Sequence, residues 1–560
     1  MSETGAPSSA AQLLQQGLFH HQRGELAPAM DRYTEVLRND PHNVDALYYC
    51  AVIACQEDQL DQGIALARRA LEHGSPQARI HNLIGKALER QKQPLEAVKS
   101  YDAAIALDPE FAEAHGNRAG LLAEAGLAAE ALKGFERALA LNPEAAPDWI
   151  NRGALLHELG RHDEALACFD KALVLVPDNP TIMMNRANVQ TSLDRFDEAE
   201  AGYDQVIRHN PKQHLAYAHK GLVAKLRGRF GEARELMTKA HRMNEKDPDA
   251  AFGLGRLMLL MGDWRTGWPL FEARGGLAKP TYTPLDHPRW RGEAPGDFRL
   301  VLLGEQGLDD AIQFGRYASL LAGRGHDVTL VTRPQLAPLL RTLPGIEQVV
   351  TDVAELSNDK RKILWLPLLS TMGLLHLTPD TVPVQEPYLR AEPERVAAFA
   401  ERLGPGRKVG VYWQGMTRAG TAPLDALAPL ADVPGLRLIS LQKQPGAREI
   451  AQAPFGGKIE QLLDAADFSA EGLLDTAALI ANLDAVVGID SVPAHLAGAL
   501  GKPVLLALPL VPDWRWLLNR DDTPWYPTMR LYRQPAAGDW ASVFARIATD
   551  LRALAPSSQG

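Results

Sequence analysis

A period of 34 residues runs through the first half of the chain and limits the folds open to it. Rows of sequence begun at Ala10 and at every 34th residue after it align eight times. One column holds only glycine or alanine, namely Gly17, Ala51, Gly85, Ala119, Gly153, Ala187, Gly221 and Gly255. A period of this length indicates a repeat protein whose units bury their apolar surfaces against their neighbours.

Two further columns show what each repeat is. Twelve residues after the glycine and alanine column, a second column again holds only small residues. Sixteen residues after it, a third column holds mostly aromatic or other large residues, such as Tyr33, Tyr101 and Phe135. Small residues let two helices cross closely, and a large residue fills the space beside them. Prolines near the row ends interrupt the chain before the next helix. The columns predict eight pairs of amphipathic helices, with a degenerate last row ("WRTGWPLFEARGG") where the array packs against something else.

These columns resemble the tetratricopeptide repeat over residues 10–276. Arrays of this family form a superhelix whose inner groove binds peptides or proteins. Asn117, Asn151 and Asn185 share one column in successive rows, at a position that faces the groove in this repeat type. A row of carboxamides can hydrogen-bond an extended peptide without reading its sequence, and this one resembles the asparagine ladder of the O-GlcNAc transferase superhelix. The alternative is that asparagine is only a tolerated polar residue on a solvated face.

The second half of the chain follows a different pattern. From about Asp297, apolar runs such as "FRLVLLG", "DVTLVT", "KVGVYW" and "AVVGI" alternate with helical segments. This alternation predicts parallel sheets covered by helices on both faces. The runs fall into two sets that separate near residue 390, which predicts lobes at 297–390 and 391–555, a linker at 277–296 and a disordered N-terminus at 1–9. The predicted fold class is an all-α tetratricopeptide superhelix followed by an α/β pair of Rossmann-like lobes.

The segment "VVGIDSVPAHLAGALGKPVLLAL" at residues 486–508 predicts a strand, a turn, a helix and a second strand. Asp490 and Ser491 follow the first strand, and His495 lies on the first turn of the helix. A helix N-terminus offers free N–H groups and a partial positive charge to an anion. The segment therefore predicts a phosphate site. The alternative is that Ser491 only caps the helix and His495 is a structural histidine.

Several stretches resemble the heptosyltransferase-type GT-B glycosyltransferases. "GIDSVPAHLAGALGKPV" is similar to the Asp-Thr/Ser-x-x-x-His segment that holds the nucleotide diphosphate in that family, and "GEQGLDDAIQFGRY" to its N-terminal-lobe loop. "SLQK" and "PDWRWLLNRDDTPWYPTMRLYRQ" resemble the branch that is fused to tetratricopeptide arrays. The resemblance spans residues 285–553. It implies an inverting, metal-independent sugar transfer that needs a base for the acceptor hydroxyl and cations for the leaving diphosphate.

The resemblance also suggests roles for particular residues. Asp310 aligns with the catalytic aspartate and is expected to be the general base, although Asp309 and Asp310 would also suit a helix N-terminus without any catalytic role. Trp514 and Trp516 are candidates for an apolar wall of the cleft. The residues expected to contact the nucleotide-sugar are Lys443, Asp490, Ser491, His495, Gln442, Arg418 and Gln414. No metal and no cofactor beyond the nucleotide-sugar substrate are expected.

Two departures from the family pattern fall in the expected active site. Asp309 stands where relatives have glycine, and its charge would repel a diphosphate. The loop "WQGMTRAGTAPLDAL" is shorter than in relatives and keeps a single basic residue, Arg418. Both departures bear on which donor is bound and on whether the site is active.

Composition narrows the setting of the protein. The net charge of −10, without a basic tract, argues against nucleic-acid binding. Cys50, Cys55 and Cys168 are too few and too scattered for a disulfide framework, which indicates a reducing compartment. No apolar run reaches the length of a membrane span, and "MSETGAPSSA" lacks the pattern of a signal peptide. A cytoplasmic protein is therefore expected.

Three functions fit the sequence. The first is a protein glycosyltransferase that moves a sugar from a nucleotide to Ser or Thr of a polypeptide held by the array. Flagellin is one candidate acceptor, because bacterial flagellin glycosyltransferases resemble this architecture. The second is transfer to a saccharide or lipid, as in heptosyltransferases proper. The third is a non-catalytic scaffold, in which the array binds partners and the α/β lobes only fold.

Overall fold

The computed structural model describes residues 9–305, 307–357, 361–383, 387–415 and 420–553. The chain forms two compact units, Met1–Pro211 and Lys212–Gly560. The N-terminal segment predicted to be disordered lies outside the described residues except for Ser9, whose side chain accepts a hydrogen bond from the N–H of Gln12 and caps the first helix.

Helix pairs make up the described part of the first unit. They are α1 (Ala10–Gln22), α2 (Leu26–Asn39), α3 (Val44–Gln56), α4 (Leu60–His73), α5 (Ala78–Arg90), α6 (Pro94–Leu107), α7 (Ala112–Glu124), α8 (Ala128–Leu141), α9 (Ala146–Glu158), α10 (His162–Leu175), α11 (Pro180–Ser192) and α12 (Phe196–His209). Each odd-numbered helix begins at the first residue of a row of the 34-residue period. The predicted repeat is therefore confirmed in both its length and its phase.

Where a row has glycine in the first column and an aromatic residue in the third, the two meet inside the repeat, as predicted. Tyr33, Tyr101 and Phe135 are fully buried. A Cβ added to Gly17 would lie 2.3 Å from Tyr33 Cε1, and one added to Gly85 would lie 2.5 Å from Tyr101 Cε1. The glycine is thus needed because the ring of the second helix occupies the space that its side chain would take.

We expect Gly85→Ala to lower the free energy of unfolding by about 1–3 kcal/mol, because the added methyl group must displace a ring in a packed core. Tyr101 is held further by its hydroxyl, which donates to Glu89 Oε2 at 2.8 Å. Gly120→Ala is the control, since a Cβ there meets nothing within 4 Å. Alanine should be neutral or stabilising at that helical position. Urea denaturation followed by circular dichroism compares the two, and equal effects would contradict the packing argument.

Two further helix pairs begin the second unit. They are α13 (His214–Leu226), α14 (Phe230–Met243), α15 (Pro248–Leu260) and α16 (Trp264–Phe271). The last helix is short and carries Pro269 within it, and a 3-10 turn follows as far as Gly276. Trp264 stacks on Trp525 with ring centroids 5.3 Å apart, and Trp268 meets Trp514 edge to face at 5.2 Å. The degenerate last row is therefore the place where repeats pack against the α/β region.

A parallel sheet of strand order β3-β2-β1-β4 forms the first lobe. Its strands and helices are β1 (Phe298–Leu303), α17 (Leu308–Phe314), α18 (Arg316–Gly323), β2 (Asp327–Val331), α19 (Ala337–Leu340), β3 (Gln348–Val350), β4 (Lys362–Pro367) and α20 (Ser370–Leu374). The segment predicted as the linker runs along this sheet, because the N–H of Trp290 donates to the carbonyl of Trp365 in β4 at 2.8 Å.

A second parallel sheet, of order β10-β9-β8-β5-β6-β7, forms the second lobe. Its elements are α21 (Pro393–Leu403), β5 (Arg407–Val411), α22 (Ala428–Ala431), β6 (Leu436–Ser440), β7 (Ile459–Glu460), α23 (Ala470–Ala481), β8 (Ala485–Ile489), α24 (Val492–Ala499), β9 (Val504–Leu508), β10 (Met529–Arg533) and α25 (Trp540–Ala553). This is the strand order of the doubly wound nucleotide-binding fold, and the order reverses between β5 and β8. The predicted fold class, a helical repeat array followed by Rossmann-like sheets, is confirmed.

Two observations bear on the expected setting. The three cysteines are buried free thiols. Among the residues that the structure describes, no helix is long and apolar enough to cross a membrane.

Candidate functional site

Asp310 lies where the two lobes meet. It occupies the first turn of α17, directly after β1, and α17 packs against α24 of the second lobe. Its carboxylate accepts a hydrogen bond from the Nη2 group of Arg515, which belongs to the segment after β9. Arg515 also donates to Asp513 Oδ1 at 2.6 Å and to Gln313 Oε1 at 2.9 Å. One guanidinium group therefore ties the expected catalytic carboxylate of the first lobe to the second lobe.

The surroundings of Asp310 favour a carboxylate that can take up a proton. Burial raises the pKa of Asp310 to about 6, with Arg515 acting in the opposite direction and the charge of Asp309 in the same one. Burial also raises the pKa of Asp513, but Arg515 and Arg256 outweigh it and lower that pKa to about 2. At neutral pH both groups are ionised, and Asp310 is the stronger base of the two.

Gly307 allows two carboxylates to approach the same point. A Cβ on this residue would lie 2.6 Å from Asp309 Oδ1 and 2.6 Å from Asp310 Oδ2. Both side chains therefore turn back over the start of α17, and any larger residue at position 307 would displace them. The aspartate that replaces the family's glycine thus adds its negative charge beside the expected base.

His495 is enclosed in the second lobe. Its side chain has no exposed surface, Nδ1 lies 3.0 Å from the hydroxyl of Tyr526, and Nε2 lies 3.2 Å from Asp490 Oδ1. Since a carboxylate only accepts, Nε2 carries a proton and donates it in a hydrogen bond to Asp490. Both ring nitrogens are occupied, and the ring also stacks on Trp516 with centroids 5.4 Å apart. The histidine therefore orients Asp490 at the end of β8, and its contact with a diphosphate stays a prediction.

Ser491 is also turned toward the protein. Its hydroxyl donates to the carbonyl of Ile489 at 3.1 Å, and its side chain makes no capping hydrogen bond to α24. The backbone N–H groups of Ala494 and His495 donate to the carbonyl of Ser491. An anion at this helix start would therefore have few N–H groups to bind.

The side chains at the ends of β5 and β6 hold one another. Gln442 Oε1 accepts from the backbone N–H groups of Trp413 at 3.2 Å and Gln414 at 3.0 Å. The side chains of those two residues donate to the carboxylate of Glu449, at 3.1 Å and 2.6 Å. Gln442 and Gln414 thus shape the mouth of the crevice between β5 and β8. Arg418 lies outside the described residues.

Lys443 anchors a loop. Its Nζ donates to the backbone carbonyls of Asp464 at 2.9 Å and Asp467 at 2.8 Å. Burial lowers the pKa of Lys443, while the nearby carboxylates act in the opposite direction. A third N–H remains for a ligand, so the predicted role in binding a diphosphate requires this lysine to serve loop and ligand together.

Negative charge dominates the described part of the site. The charge of Arg515 interacts with the carboxylates of Asp513, Asp310, Asp309 and Asp490. Arg515 also donates hydrogen bonds to the first two of these, Asp513 and Asp310. The segment after β9 was the most specific part of the family resemblance, but its tryptophans drew attention and its arginine did not. The signal that could have indicated this pair is an arginine two positions after an aspartate, in a stretch expected at the carboxyl end of a strand.

The asparagine column follows the odd-numbered helices of the first unit. Asn151 is exposed, whereas Asn117 and Asn185 are half-buried. Asn117 Nδ2 donates to Asn82 Oδ1 of the preceding odd-numbered helix at 3.1 Å, so the amide row continues into α5 through a buried partner. Recognition of a peptide by this row stays a prediction.

Comparisons with known proteins agree with this architecture. Tetratricopeptide-repeat models match residues 20–87, 82–146, 146–179 and 184–248, and the model of glycosyltransferase family 9 (heptosyltransferase) matches residues 469–507. Protein FlbA of Caulobacter vibrioides is 31% identical over 333 residues, which cover 55% of this chain and 55% of FlbA. The match therefore spans about half of the length of that relative.

Solved repeat structures are also similar. YrrB, described as a TPR protein with an unusual peptide-binding site, is 22% identical with a TM-score of 0.27, over 33% of this chain and 92% of that one. PilF of Pseudomonas aeruginosa is 24% identical with a TM-score of 0.34, over 36% of this chain and 92% of that one. The chain is therefore a tetratricopeptide-repeat array followed by an α/β region, and residues 469–507 of that region are similar to glycosyltransferase family 9 (heptosyltransferase).

Proposed function

We propose that this protein is a glycosyltransferase that moves a sugar from a nucleotide-sugar donor to a polypeptide. The observation that carries the proposal is the position of the family 9 match at residues 469–507. That segment contains α23, β8, α24 and most of β9, and so borders the crevice where the strand order reverses. Doubly wound sheets bind nucleotides at this crevice, which supports a donor site beside Asp490 and Ser491.

In the proposed reaction Asp310 is the general base. It takes the proton of the acceptor hydroxyl while that oxygen bonds to the anomeric carbon, and the bond from this carbon to the nucleoside diphosphate breaks on the opposite face, which inverts the configuration. A pKa near 6 keeps Asp310 ionised at neutral pH and makes it a stronger base than an exposed aspartate. Lys443, Arg418 and the start of α24 are the proposed partners of the leaving diphosphate, without a metal ion.

The proposed acceptor is a serine or threonine of a polypeptide bound by the repeat array in the cytoplasm. Support comes from the length of the array and from the amide row of Asn117, Asn151 and Asn185, whose groups can bond an extended backbone. Flagellin is a candidate because the sequence resembles flagellin glycosyltransferases. Transfer to a saccharide instead of a polypeptide would be seen as turnover that does not require the asparagines.

A non-catalytic scaffold is the second candidate. It is favoured by the excess of carboxylates around Arg515 and by the protein contacts that occupy His495, Gln442 and Lys443. Such a site would repel a nucleoside diphosphate. Nucleotide binding therefore separates the two candidates.

The deciding experiment is titration of the full chain with UDP, GDP, ADP and CMP, followed by thermal unfolding and calorimetry. We expect one nucleotide to stabilise the protein, by roughly 2.7 kcal/mol when its concentration is 100 times its Kd. Ser491→Asp should abolish this effect, because it places a carboxylate at the start of α24. Ser469→Asp is the matched control, since Ser469 is the exposed N-cap of α23 in the same lobe.

The outcomes are distinct. Stabilisation by one nucleotide that survives Ser469→Asp and is lost in Ser491→Asp supports the donor site and names its nucleotide. No response to any nucleotide, from a protein that still unfolds cooperatively, would reject the enzyme and favour the scaffold.

A further inference from the structure

A chain of alternating charges connects the repeat array to Asp310. It begins at Arg256 on α15, whose side chain is 42% exposed and whose Nη2 group donates to Asp513 Oδ2 at 3.1 Å. The other oxygen of Asp513 accepts from Arg515 Nη1 at 2.6 Å. Arg515 in turn donates to Asp310 through Nη2. Cation, anion, cation and anion thus follow one another from the last repeat to the expected base.

We infer that Arg256 is a positioning residue for glycosyl transfer, which acts through Asp513 and Arg515 to orient the carboxylate of Asp310. The inference rests on the proposed function, in which Asp310 is the base. It gives the array a part in the chemistry in addition to acceptor binding, because a side chain of the last repeat then belongs to the machinery that sets the base.

Packing and hydrogen bonds restrict the conformation of the Arg515 side chain. Its side chain is 10% exposed, and its guanidinium lies 4.9 Å from the ring centroid of Trp514 and 5.8 Å from that of Phe314. Its donors are divided among Asp513, Asp310 and Gln313. The direction in which it points is therefore set by its acceptors, and Asp513 is the acceptor that Arg256 shares.

Arg256 and Arg515 both donate to the carboxylate of Asp513 and therefore compete for it. With Arg256 present, the charge of Asp513 is divided between two cations, and Arg515 keeps a strong interaction with Asp310. Without Arg256, Asp513 attracts Arg515 alone, and the field that stabilises ionised Asp310 weakens. The proton affinity of Asp310 should therefore respond to a residue that does not touch it.

Other charged groups lie near this row of four charges. Asp309 and Glu305, together with Asp513, raise the pKa of Asp310, while Asp490 acts on Arg515. Burial lowers the pKa of Lys225 on α13 to about 8, and the charges of Arg256 and Asp513 also act on this lysine. Titration below about pH 7 keeps this lysine charged, so that changes there report on the carboxylates.

Substitutions of Arg256 and Asp513 should shift the protonation midpoint of Asp310 in opposite directions. Arg256→Ala removes a positive charge and should raise the protonation midpoint of Asp310 by about 0.5–1 pH unit. Asp513→Asn removes a negative charge and should lower the midpoint by a similar amount. Arg256→Lys retains the charge and should restore most of the wild-type value. If Arg256 had a purely structural role, Arg256→Lys would behave like Arg256→Ala instead of restoring the midpoint.

The test follows the carboxyl carbon of Asp310 by NMR in the full-length chain labelled with ¹³C-aspartate, with the signal assigned by its loss in Asp310→Asn. Arg234→Ala is the matched control, because it removes an exposed arginine from α14 in the neighbouring repeat. The acidic limb of kcat, measured with the nucleotide-sugar of the nucleotide that stabilises the protein, should shift with the midpoint. The KM for that donor should stay within about twofold, as expected when ground-state binding is untouched.

Each result has one meaning. Midpoints and acidic limbs that move together in Arg256→Ala and Asp513→Asn, and not in Arg234→Ala, support the inference. A midpoint in Arg256→Ala equal to that of Arg234→Ala overturns it, and so does a midpoint that moves without the acidic limb. If no nucleotide-sugar is turned over while the midpoints shift as expected, the proposed function fails and the ionic link alone stands.

Discussion

Asp310→Asn is expected to reduce glycosyl transfer by about 10²–10⁴-fold, the range for loss of a general base. The amide keeps the shape of the side chain and can still accept the hydrogen bond of Arg515, but it cannot take up the proton of the acceptor hydroxyl. Nucleotide affinity should remain within about threefold, because the proposed donor site lies on the second lobe. Transfer of a labelled sugar and calorimetry of nucleotide binding measure the two effects separately.

Asp309→Asn is the matched control for this substitution. Its carboxylate also lies against Gly307, and its charge raises the pKa of Asp310. The pKa of Asp310 lies above its usual value, and the charge of Asp309 is one of the causes. Removing that charge should therefore lower the pKa of Asp310 and shift the acidic limb of the pH–rate profile to lower pH. The rate at neutral pH should fall far less than in Asp310→Asn. A larger loss of rate in Asp309→Asn than in Asp310→Asn would show that Asp310 is not the general base.

Arg274→Ala is expected to lower the free energy of unfolding by about 3–5 kcal/mol, as for other buried ion pairs that lose one partner. Arg274 is fully buried, and its Nε and Nη2 groups donate to both oxygens of Glu305 at 2.9 Å. It also donates to Glu272 at 2.9 Å and to Ser370 at 2.8 Å. Truncation would leave the carboxylate of Glu305 buried without its cation.

The position of Arg274 explains why this network matters. It lies in the 3-10 turn after α16, while Glu305 follows β1 and Ser370 follows β4. The guanidinium therefore joins the end of the repeats to the strand ends beside Asp310. Arg274→Lys should cost almost as much as Arg274→Ala, because an ammonium group cannot reproduce the paired hydrogen bonds to one carboxylate.

Urea unfolding monitored by tryptophan fluorescence measures these changes. Arg265→Ala is the matched control, because this arginine is exposed on α16 and its loss should change stability by less than about 0.5 kcal/mol. The double change Arg274→Leu with Glu305→Leu should recover part of the loss, since it removes both charges together. Equal effects of Arg274→Ala and Arg265→Ala would show that the network contributes no stability.

The repeat array was predictable down to single residues because its signals are local. Each row of 34 residues carries its own helix pair, and Gly85 meets Tyr101 only sixteen positions later. The longer strands of both lobes were also predictable from their apolar runs. Strands β3, β7 and β10 were missed, because a strand of two or three residues, or a five-residue strand that contains two arginines, has no distinctive apolar pattern.

The candidate site divides in the same way. The fold class, the repeat phase and the placement of Asp310, Asp490 and Ser491 at strand ends could be predicted, because periodicity and strand–turn–helix transitions depend on neighbouring residues. The contacts of those side chains could not, because they depend on how distant segments pack. Asp310 meets Arg515 across 205 positions, and His495 meets Tyr526 across 31. The first pair is set by the packing of one lobe on the other and the second by the packing of distant segments within one lobe, and neither leaves a period in the chain.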